Sequence, residues 1–385
     1  MVSFGVLEIQ VLRTRIFYLF KKRFEIYGDD IKMPGNSFGQ LFRLTTFGES
    51  HGTGIGAVID GCPPQISLKS EDFVRDMARR RPGKGAFESP RKEKDQVEIL
   101  SGVFEGRTTG TPLTLFIQNR NADSKPYEIL RRLFRPGHAD YGYYKKYGHV
   151  DFKGGGRASA RETAARVAAG VVAAKIIGPS GTRVTAYTIE LGGIQAEKID
   201  LDQIDESPFY CPDPQASLKM EEVAAKARKA GDSIGGIVEL RVSRCPAGLG
   251  EPVFDKLEAD LAKAVMSVGA VKGFEVGVGF GAARLKGSEN NDPITPKGFT
   301  SNNAGGILGG VSNGDAIILR AAVKPIPSIS IEQDTIDREG NPAKLQIFGR
   351  HDATAIPRIV PVLEAMVRIT LADHYLRQKA IKLSD

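Results

Sequence analysis

The sequence predicts an α+β protein, and three observations support that class. Four segments show strand periodicity or a continuous apolar run, and four longer segments show helical periodicity. Pairs of strands are interspersed with helices along the chain, an order that favours α+β over a strict βαβ repeat. No convincing linker separates these elements, so the 385 residues are interpreted as one large folded unit.

The first half of the chain supplies one helix and two strands before its most glycine-rich loop. The segment "SEDFVRDMARRR" predicts a helix capped by Ser70, with Glu71 and Asp72 in its first turn and Pro82-Gly83 beyond its end. The segments "VEILSGVF" and "PLTLFIQN" predict strands. These elements precede the loop that contains Gly154, Gly155 and Gly156.

The second half supplies three more helices and two more strands. Ser159 and Glu162 form a capping-box pattern, so the helix "ARETAARVAAGVVAAKII" is predicted to begin directly after the three glycines. The alternation in "GIVELRVS" predicts a half-buried strand, and "GDAIILRAAV" predicts a more deeply buried one. The helix "EPVFDKLEADLAKAVMSVG" is predicted to begin at Pro252 and end at Gly269, and a long last helix is predicted to begin near Pro357.

Composition narrows the class of function. Lys plus Arg (53) exceed Asp plus Glu (46) without a long block of one sign, which favours a small anionic ligand over nucleic acid. No apolar run approaches the roughly 18 residues that a membrane span needs, and no signal peptide is recognised. The three cysteines lack metal-ligand or disulfide spacing, so a reducing, cytoplasmic setting without a bound metal is expected.

The histidines mark the candidate site. Four of the five lie in irregular polar segments, and two of them, His51 in "FGESHGTG" and His138 in "RPGHADYG", stand beside glycine and a carboxylate. An imidazole in such a place can serve as an acid near neutral pH, although an isolated histidine is more often structural. Asp352 directly follows Arg350 and His351, where a general base and a simple ion-pair partner are both consistent interpretations.

Arginines and glycines indicate an anion site. Arg157 and Arg161 follow Gly154–Gly156 at a helix start, where amide donors, the positive dipole end and guanidinium groups suit a phosphate. A capped helix with solvated arginines fits the same residues, and the residues alone leave both interpretations open. Arg80 lies among three consecutive arginines that either bind an anion or complement a helix C-terminus, and the second is favoured without further context.

Several motifs together resemble one family. The segments "GNSFGQLFRLTTFGESHG", "RPGHADYGYYKKYG", "GGGRASARET" and "GRHD", in this order and spacing, resemble the motifs of the chorismate synthases. The resemblance extends from about Met33 to the last helix and includes "DGCPP", "RRRPG", "GDSIGG" and "SNNAGGILGG". Residues 1–32 have no counterpart, so we expect a disordered extension or a misassigned start ahead of a catalytic domain at 33–385.

The resemblance implies a fold and a reaction. The fold would be a single large β-α-β sandwich, with helices packed between and around antiparallel sheets, assembled as a homotetramer. The reaction would be the anti-1,4-elimination of phosphate from 5-enolpyruvylshikimate 3-phosphate to give chorismate. It would require reduced FMN without net redox change, a separate flavin reductant, and NADPH at most as an indirect source of electrons.

The resemblance also assigns residues to roles. His51 would protonate the departing phosphate, His138 would protonate the reduced flavin, and Asp352 assisted by Ser50 would take the flavin N5 proton, so that N5 can remove hydrogen from the substrate. Both histidine roles need an imidazolium, which a nearby anion would favour. The substrate's phosphate and carboxylates, or an NADP phosphate, would be held by Arg80, Arg135, Arg161 and Arg350. The flavin would contact Arg157, Ala158, Ser159, Gly269, Ala270, Gly309, Lys324, Pro325, Ile326, Pro327, Ser328 and Arg350.

Two positions depart from the family pattern. Ala86 stands where relatives often have arginine, with Lys84 or Arg91 as candidates to compensate, and Gly269 stands where many have asparagine.

Two other classes of function are less consistent with the sequence. A nucleotide-dependent enzyme such as a kinase is disfavoured because the phosphate-binding pattern G-x-x-x-x-G-K-[ST] is absent. An RNA-binding protein is disfavoured because aromatic-basic platforms are not recognisable.

Overall fold

The computed structural model describes residues 35–81, 95–120, 124–347 and 352–381. The chain divides into two units, Met1–Ser37 and Phe38–Asp385, and the second contains every element from β2 onward. The predictions that concern Ala86, Arg350 and residues 1–32 lie outside the described residues.

Within the described ranges the chain forms strands and helices in mixed order. The strands are β1 (Ser37–Phe38), β2 (Arg43–Gly48), β3 (Gly54–Asp60), β4 (Glu98–Ser101), β5 (Val103–Phe104), β6 (Arg107–Thr108), β7 (Leu113–Gln118), β8 (Arg183–Leu191), β9 (Ile194–Gln195), β10 (Gly236–Ser243), β11 (Val271–Val276), β12 (Ile294–Thr295), β13 (Gly298–Phe299), β14 (Ile307–Leu308), β15 (Val311–Ser312), β16 (Ile317–Val323), β17 (Gln333–Ile336) and β18 (Pro342–Leu345). The α-helices are α1 (Val74–Arg80), α2 (Asp140–Tyr147), α3 (Thr163–Ile177), α4 (Pro214–Lys229), α5 (Leu257–Met266), α6 (Gly287–Asn290) and α7 (Ile356–Ile381). The predicted α+β class is confirmed.

Two five-stranded sheets carry the architecture. The first has the order β1-β2-β3-β7-β4 and the second the order β11-β16-β10-β8-β9. The pairings from β2 to β4 in the first sheet, and all pairings in the second, are antiparallel. In β10 the alternation predicted from "GIVELRVS" is confirmed, because Val238, Leu240 and Val242 are buried while Arg241 between them is exposed.

Two helices connect the sheets through the core. Helix α3 packs on β3 and β7 of the first sheet, α7 packs on β8 and β10 of the second, and the two helices pack on each other. Twelve of the fifteen residues of α3 are buried, as expected of a helix that lies in the core. The two helices are in close contact at Gly170, where an added Cβ would lie 2.5 Å from the Cβ of Ala365.

A carboxylate on α7 fastens the start of the second unit. Asp373 is buried, and its Oδ1 accepts hydrogen bonds from three successive backbone amides: Gln40 at 3.0 Å, Leu41 at 2.7 Å and Phe42 at 2.8 Å. Three N–H donors on one carboxylate oxygen satisfy backbone groups that have no strand partner at this point. The last helix therefore holds the chain segment that leads into β2.

Three local predictions were wrong at element boundaries. The first helix is preceded by Lys69 as N-cap rather than capped by Ser70, and it opens with a 3₁₀ turn, Ser70–Phe73. The segment "VEILSGVF" forms two strands because Gly102 has φ +82° between β4 and β5. Helix α5 begins at Leu257 rather than at Pro252, since Lys256 before it has ψ 140°, outside the helical range.

No helix among the described residues is long and apolar enough to cross a membrane. The three cysteines, Cys62, Cys211 and Cys245, are free thiols and are all buried. Burial raises the pKa of Cys62 and of Cys245 to about 11, so these thiols behave as small apolar groups.

Candidate active site

The three successive glycines bring the two predicted histidine loops together. Gly154, Gly155 and Gly156 have φ values of +61°, +79° and +49° within the 3₁₀ turn Lys153–Ala158. A Cβ on Gly154 would lie 2.2 Å from His51 Cδ2, and one on Gly155 would lie 3.5 Å from His138 Cε1. The glycines therefore meet a positive-φ requirement and leave room for both imidazole rings.

On one side of the glycines, His51 is held through Nδ1. This atom lies 2.8 Å from Ser124 Oγ, and the ring contacts Tyr127 edge-on at a centroid distance of 5.2 Å. The neighbouring Ser50 is buried and donates to the carbonyl of Gly154 at 2.9 Å. His51 Nε2 would be only 2.4 Å from a Cβ on Gly154, so the outer edge of the ring faces the glycine loop.

On the other side, Asp140 organises Arg135 and His138. Arg135 donates from Nε to Asp140 Oδ2 at 2.7 Å and from Nη2 to Oδ1 at 2.8 Å, a two-pronged ion pair of a buried guanidinium. Nδ1 of His138 lies 2.7 Å from the same Oδ1. Burial alone would raise the pKa of Asp140, but the hydrogen bonds from Arg135 and His138 hold it well below its usual range.

The surroundings of His138 disfavour its charged form. Burial lowers the pKa of His138 below 6.5; Asp140 opposes this effect, while the positive charges of Arg135 and Lys324 reinforce it. The protein's own groups therefore favour a neutral ring at neutral pH. An imidazolium at this position, as the acid role requires, needs additional negative charge nearby.

The segment Lys324–Ser328 joins the same cluster. Lys324 Nζ donates to the carbonyl of Gly137, and Ser328 Oγ accepts from Arg135 Nη1 at 3.4 Å. The amide of Lys324 donates to the carbonyl of Ala270 at 2.9 Å, and Ala270 itself has φ +74°. Four residues predicted to contact flavin or substrate thus form two hydrogen-bonded pairs, Ala270 with Lys324 and Arg135 with Ser328.

Two of the predicted anion-binding arginines share one buried carboxylate. Arg80 is 2% exposed and donates from Nη1 to Asp95 Oδ2 at 2.9 Å. Arg161 pairs with the other oxygen of Asp95 and donates from Nε to Asn119 Oδ1 at 3.0 Å. Two guanidinium groups therefore share one buried carboxylate. Sequence reasoning assigned no role to Asp95.

The capping box predicted from Ser159 and Glu162 is wrong in part. Ser159 Oγ accepts from the amide of Arg161 at 3.3 Å, so the serine does cap. Glu162 does not return to the backbone of Ser159, because its Oε1 accepts from Thr46 Oγ1 at 2.8 Å and its carboxylate pairs with Arg166. A 3₁₀ turn, Ala160–Glu162, therefore precedes α3, and the α-helix itself begins at Thr163.

Arg157 is directed toward the first sheet. It donates from Nη2 to Thr46 Oγ1 at 2.6 Å and from Nη1 to the carbonyl of Gly48 at 3.1 Å, two residues before Ser50. Ala158 ends the same 3₁₀ turn that contains the glycines. Arg157, Ala158 and Ser159 therefore directly follow the glycine loop that contacts both histidines.

Asp352 forms an ion pair with a residue that was not anticipated. Its Oδ2 lies 2.8 Å from Arg358 Nη2, near the start of α7, and its side chain is 11% exposed. The next residue, Ala353, accepts a hydrogen bond from the amide of Ile234 at 2.8 Å, and the neighbouring Ser233 donates from Oγ to the carbonyl of Ile326 at 2.7 Å. The residue after Asp352 is thus linked, through Ile234 and its neighbour Ser233, to the segment Pro325–Pro327.

Gly309 and Gly269 both have open space where a Cβ would stand. Gly309 lies in the turn between β14 and β15 with φ +61°, and a Cβ there would meet nothing within 4 Å. The same open space surrounds Gly269. Among the described residues no hydrogen bond joins either glycine to the histidine cluster, and no group of metal-binding side chains is found.

The α+β fold places two histidines, the buried Arg135 and Asp140 around one glycine loop, groups that are able to bind an anion and to exchange protons. A family model described as chorismate synthase matches residues 42–376. Chorismate synthases of Syntrophus aciditrophicus (strain SB) and Chloroflexus aggregans (strain MD-66 / DSM 9485) are 59% and 51% identical, each over 91% of this chain and over 100% and 98% of their own lengths. A solved structure titled "Crystal Structure of Chorismate Synthase" matches with a TM-score of 0.70 and 31% identity, covering 88% of this chain and 93% of that one. The chain belongs to the chorismate synthase family of enzymes.

Proposed function

We propose that the protein eliminates phosphate from 5-enolpyruvylshikimate 3-phosphate in the anti-1,4 sense to give chorismate. The convergence of Ser50, His51, Arg135 and His138 on Gly154 and Gly155 is the observation that carries this proposal. It places two proton donors and a guanidinium around one short loop. Family membership supports the same reaction.

The arginines suit the charge of that substrate. The substrate has one phosphate and two carboxylates, and the guanidinium fork binds such oxygens with paired hydrogen bonds. Arg135 lies beside His138, while Arg80 and Arg161 share the carboxylate of Asp95. In this proposal Arg135 binds the substrate directly, and Arg80 and Arg161 contribute further guanidinium groups.

The positive charges around Lys324 suit the phosphate group of reduced FMN. Burial and the positive charge of Lys272 both lower the pKa of Lys324, so two neighbouring ammonium groups repel each other. A phosphate between them would relieve that repulsion. When bound, reduced FMN supplies an electron-rich ring whose electron density assists the loss of phosphate and is recovered in the same turnover. Lys324, Ser328 and Arg157 would hold it.

The chain's own groups then carry the protons. His51 donates from Nε2 to the departing phosphate while Ser124 holds Nδ1. His138 donates from Nε2 toward the flavin, and the negative charge of the ligands raises its pKa from the low value that the protein alone imposes. The carboxylate of Asp352 accepts a proton, with the Ser50 hydroxyl assisting.

The remaining family properties complete the proposal. We propose the β-α-β sandwich arrangement, a homotetramer in the cytoplasm, and residues 1–32 as an extension outside the catalytic domain. A separate reductant supplies electrons to the flavin, since the sequence has no G-x-G-x-x-G unit for binding NADPH. The solved relative of 31% identity covers most of this chain and supports the fold portion of the proposal.

An anaerobic assay tests the reaction and its electron source together. With chemically reduced FMN in catalytic amount, the purified protein should form many equivalents of chorismate, because the electrons return in each cycle. With oxidised FMN and NADPH alone, chorismate should form only very slowly. Failure to form chorismate under the first condition would overturn the proposed function, and rapid formation under the second would overturn the separate reductant.

A further inference from the structure

We infer that Asp140 is a positioning residue that fixes Nε2 of His138 as the nitrogen that exchanges protons, while clamping Arg135 beside it. The inference rests on the proposed function and adds to it, because Asp140 is not among the residues that the family resemblance assigns. It concerns how the site is oriented before any ligand binds.

One carboxylate satisfies two side chains and the turn that presents them. Asp140 Oδ2 accepts from Arg135 Nε at 2.7 Å and from the Arg135 amide at 3.3 Å, while Oδ1 accepts from Arg135 Nη2 at 2.8 Å. Oδ1 also lies 2.7 Å from His138 Nδ1. Asp140 is the first residue of α2, and Gly137 with φ +69° allows the chain to turn back on itself here. The three side chains thus form a closed cluster within six residues.

The distances select one tautomer of the neutral ring. Nδ1 of His138 lies 3.0 Å from Arg135 Nη2, which can only donate, and 2.7 Å from Asp140 Oδ1, which as a carboxylate can only accept. Without a proton on Nδ1, two lone-pair-bearing atoms would face each other at the shorter distance. With a proton there, the charge-assisted bond to Asp140 forms. Nδ1 therefore carries the hydrogen, and Nε2, which faces Gly155, is left to exchange a proton.

The same carboxylate sets the charge balance of His138. The ring faces Arg135 and Asp140 from its own loop, Lys324 from the segment after β16, and the uncharged Gly155 from the glycine turn. The two cations lower the pKa of His138 and Asp140 raises it, so removing the carboxylate lowers the pKa further. At a given pH the imidazolium fraction then falls. If the rate depends on the imidazolium form, its decline on the alkaline side of the pH profile should therefore begin at a lower pH.

Nuclear magnetic resonance of the free protein tests the tautomer directly. Ring-¹⁵N-labelled histidine gives distinct shifts for protonated and bare nitrogens, and a His138→Gln variant assigns the signal. We expect neutral His138 to carry its hydrogen on Nδ1, the opposite of the tautomer that free histidine prefers. A hydrogen on Nε2 would overturn the inference, and this result does not depend on any activity.

Variants then test the functional consequence. Asp140→Asn should lower turnover about 10- to 100-fold at neutral pH, as expected for a residue that orients another group, and shift the alkaline limb to lower pH. Asp140→Glu should restore the wild-type position of that limb in part. Asp334→Asn, the same change at a side chain that is 86% exposed, should leave rate and pH profile unchanged. Equal loss in Asp140→Asn and Asp140→Glu with an unshifted pH profile would reduce Asp140 to a purely structural role.

The two proposals fail separately. If wild-type protein forms no chorismate while His138 carries its hydrogen on Nδ1, the reaction is wrong and the positioning geometry stands. If chorismate forms and the hydrogen is on Nε2, the reaction stands and the role of Asp140 is wrong.

Discussion

At the scale of single residues, Gly154 has the most stringent environment in the site. An alanine there would place its Cβ 2.2 Å from the ring of His51 and 2.5 Å from Ser50 Oγ, in addition to the strain of φ +61°. We expect Gly154→Ala to displace both side chains and to lower kcat at least 100-fold, comparable to the loss of a positioned proton donor. Steady-state chorismate formation with reduced FMN measures this.

Gly148 offers a matched control for that change. It has φ +68°, yet a Cβ there would meet nothing within 4 Å. Gly148→Ala should therefore show the strain alone, about 1 kcal/mol of lost stability, with activity near wild type. If both variants lose activity equally, backbone strain rather than contact with His51 explains the need for glycine.

Asp352 requires a test that separates its two interpretations. Asp352→Asn keeps the shape and one hydrogen-bond acceptor for Arg358 but removes the base, so we expect turnover to fall roughly 10²–10⁴-fold while flavin and substrate binding change only a few-fold. Turnover and ligand titration measure the two effects.

Arg358→Gln provides the comparison, because it breaks the ion pair at 2.8 Å and leaves the Asp352 carboxylate intact. We expect this variant to retain much more activity than Asp352→Asn. If the two variants lose activity and thermal stability to the same degree, Asp352 serves as a structural ion-pair partner and not as a base.

Site residues that stand in a recognisable sequence motif could be predicted, whereas contacts between residues distant in the sequence could not. His51, His138 and the glycines stand in distinctive loops, and the structure brings them together. Asp95 was missed because its link to Arg80 and Arg161 spans 15 and 66 positions and depends on tertiary packing. Asp140 was noticed only as a carboxylate beside His138, and its contact with Arg135 was not predicted because it depends on a positive-φ turn rather than on helical spacing.

At the scale of elements, α3 and α7 pack without room for a methyl group at Gly170. Gly170→Ala would bring a methyl group to 2.5 Å from Ala365 Cβ and 2.7 Å from its Cα. Overpacking of this kind costs roughly 1–3 kcal/mol, more than the helix propensity that alanine gains. We expect a lower Tm by calorimetry or circular dichroism.

Gly142 is the control for that substitution, since it also lies within a helix but has open space around its Cβ position. Gly142→Ala should raise stability by up to about 1 kcal/mol from helix propensity alone. An unchanged or raised Tm in Gly170→Ala would show that the two helices can separate without cost.

The elements themselves were predictable from periodicity, and their boundaries less so. Helix α7 and strands β7, β10 and β16 lie where hydrophobic patterns placed them. The predicted start of α5 was wrong because Lys256 has ψ 140°, outside the helical range, and the amide of Leu257 donates to the carbonyl of Gly310, far away in the sequence. The order of strands in the sheets has no local signal, because pairing partners such as β10 and β16 are far apart in the sequence.

At the scale of the whole molecule, the catalytic unit should function without the first 32 residues. The family model begins at residue 42, and the bonds from Asp373 hold the chain from Gln40 onward. We expect a protein that starts at Met33 to match the full chain in Tm, oligomeric state and turnover. Size-exclusion chromatography with light scattering and the anaerobic assay measure these properties. Loss of assembly on truncation would show that residues 1–32 form part of a subunit contact.

The central position of α7 has a consequence for synthesis in the cell. This helix of 26 residues follows the other described elements in the chain, yet it packs on the second sheet and on α3 and holds the segment at Gln40 through Asp373. Until it is synthesised, the nascent polypeptide exposes the apolar surfaces that the helix later covers, a state prone to aggregation. We therefore expect the core to close only after α7 has emerged from the ribosome, and a premature stop codon within α7 to remove part of the hydrophobic interior.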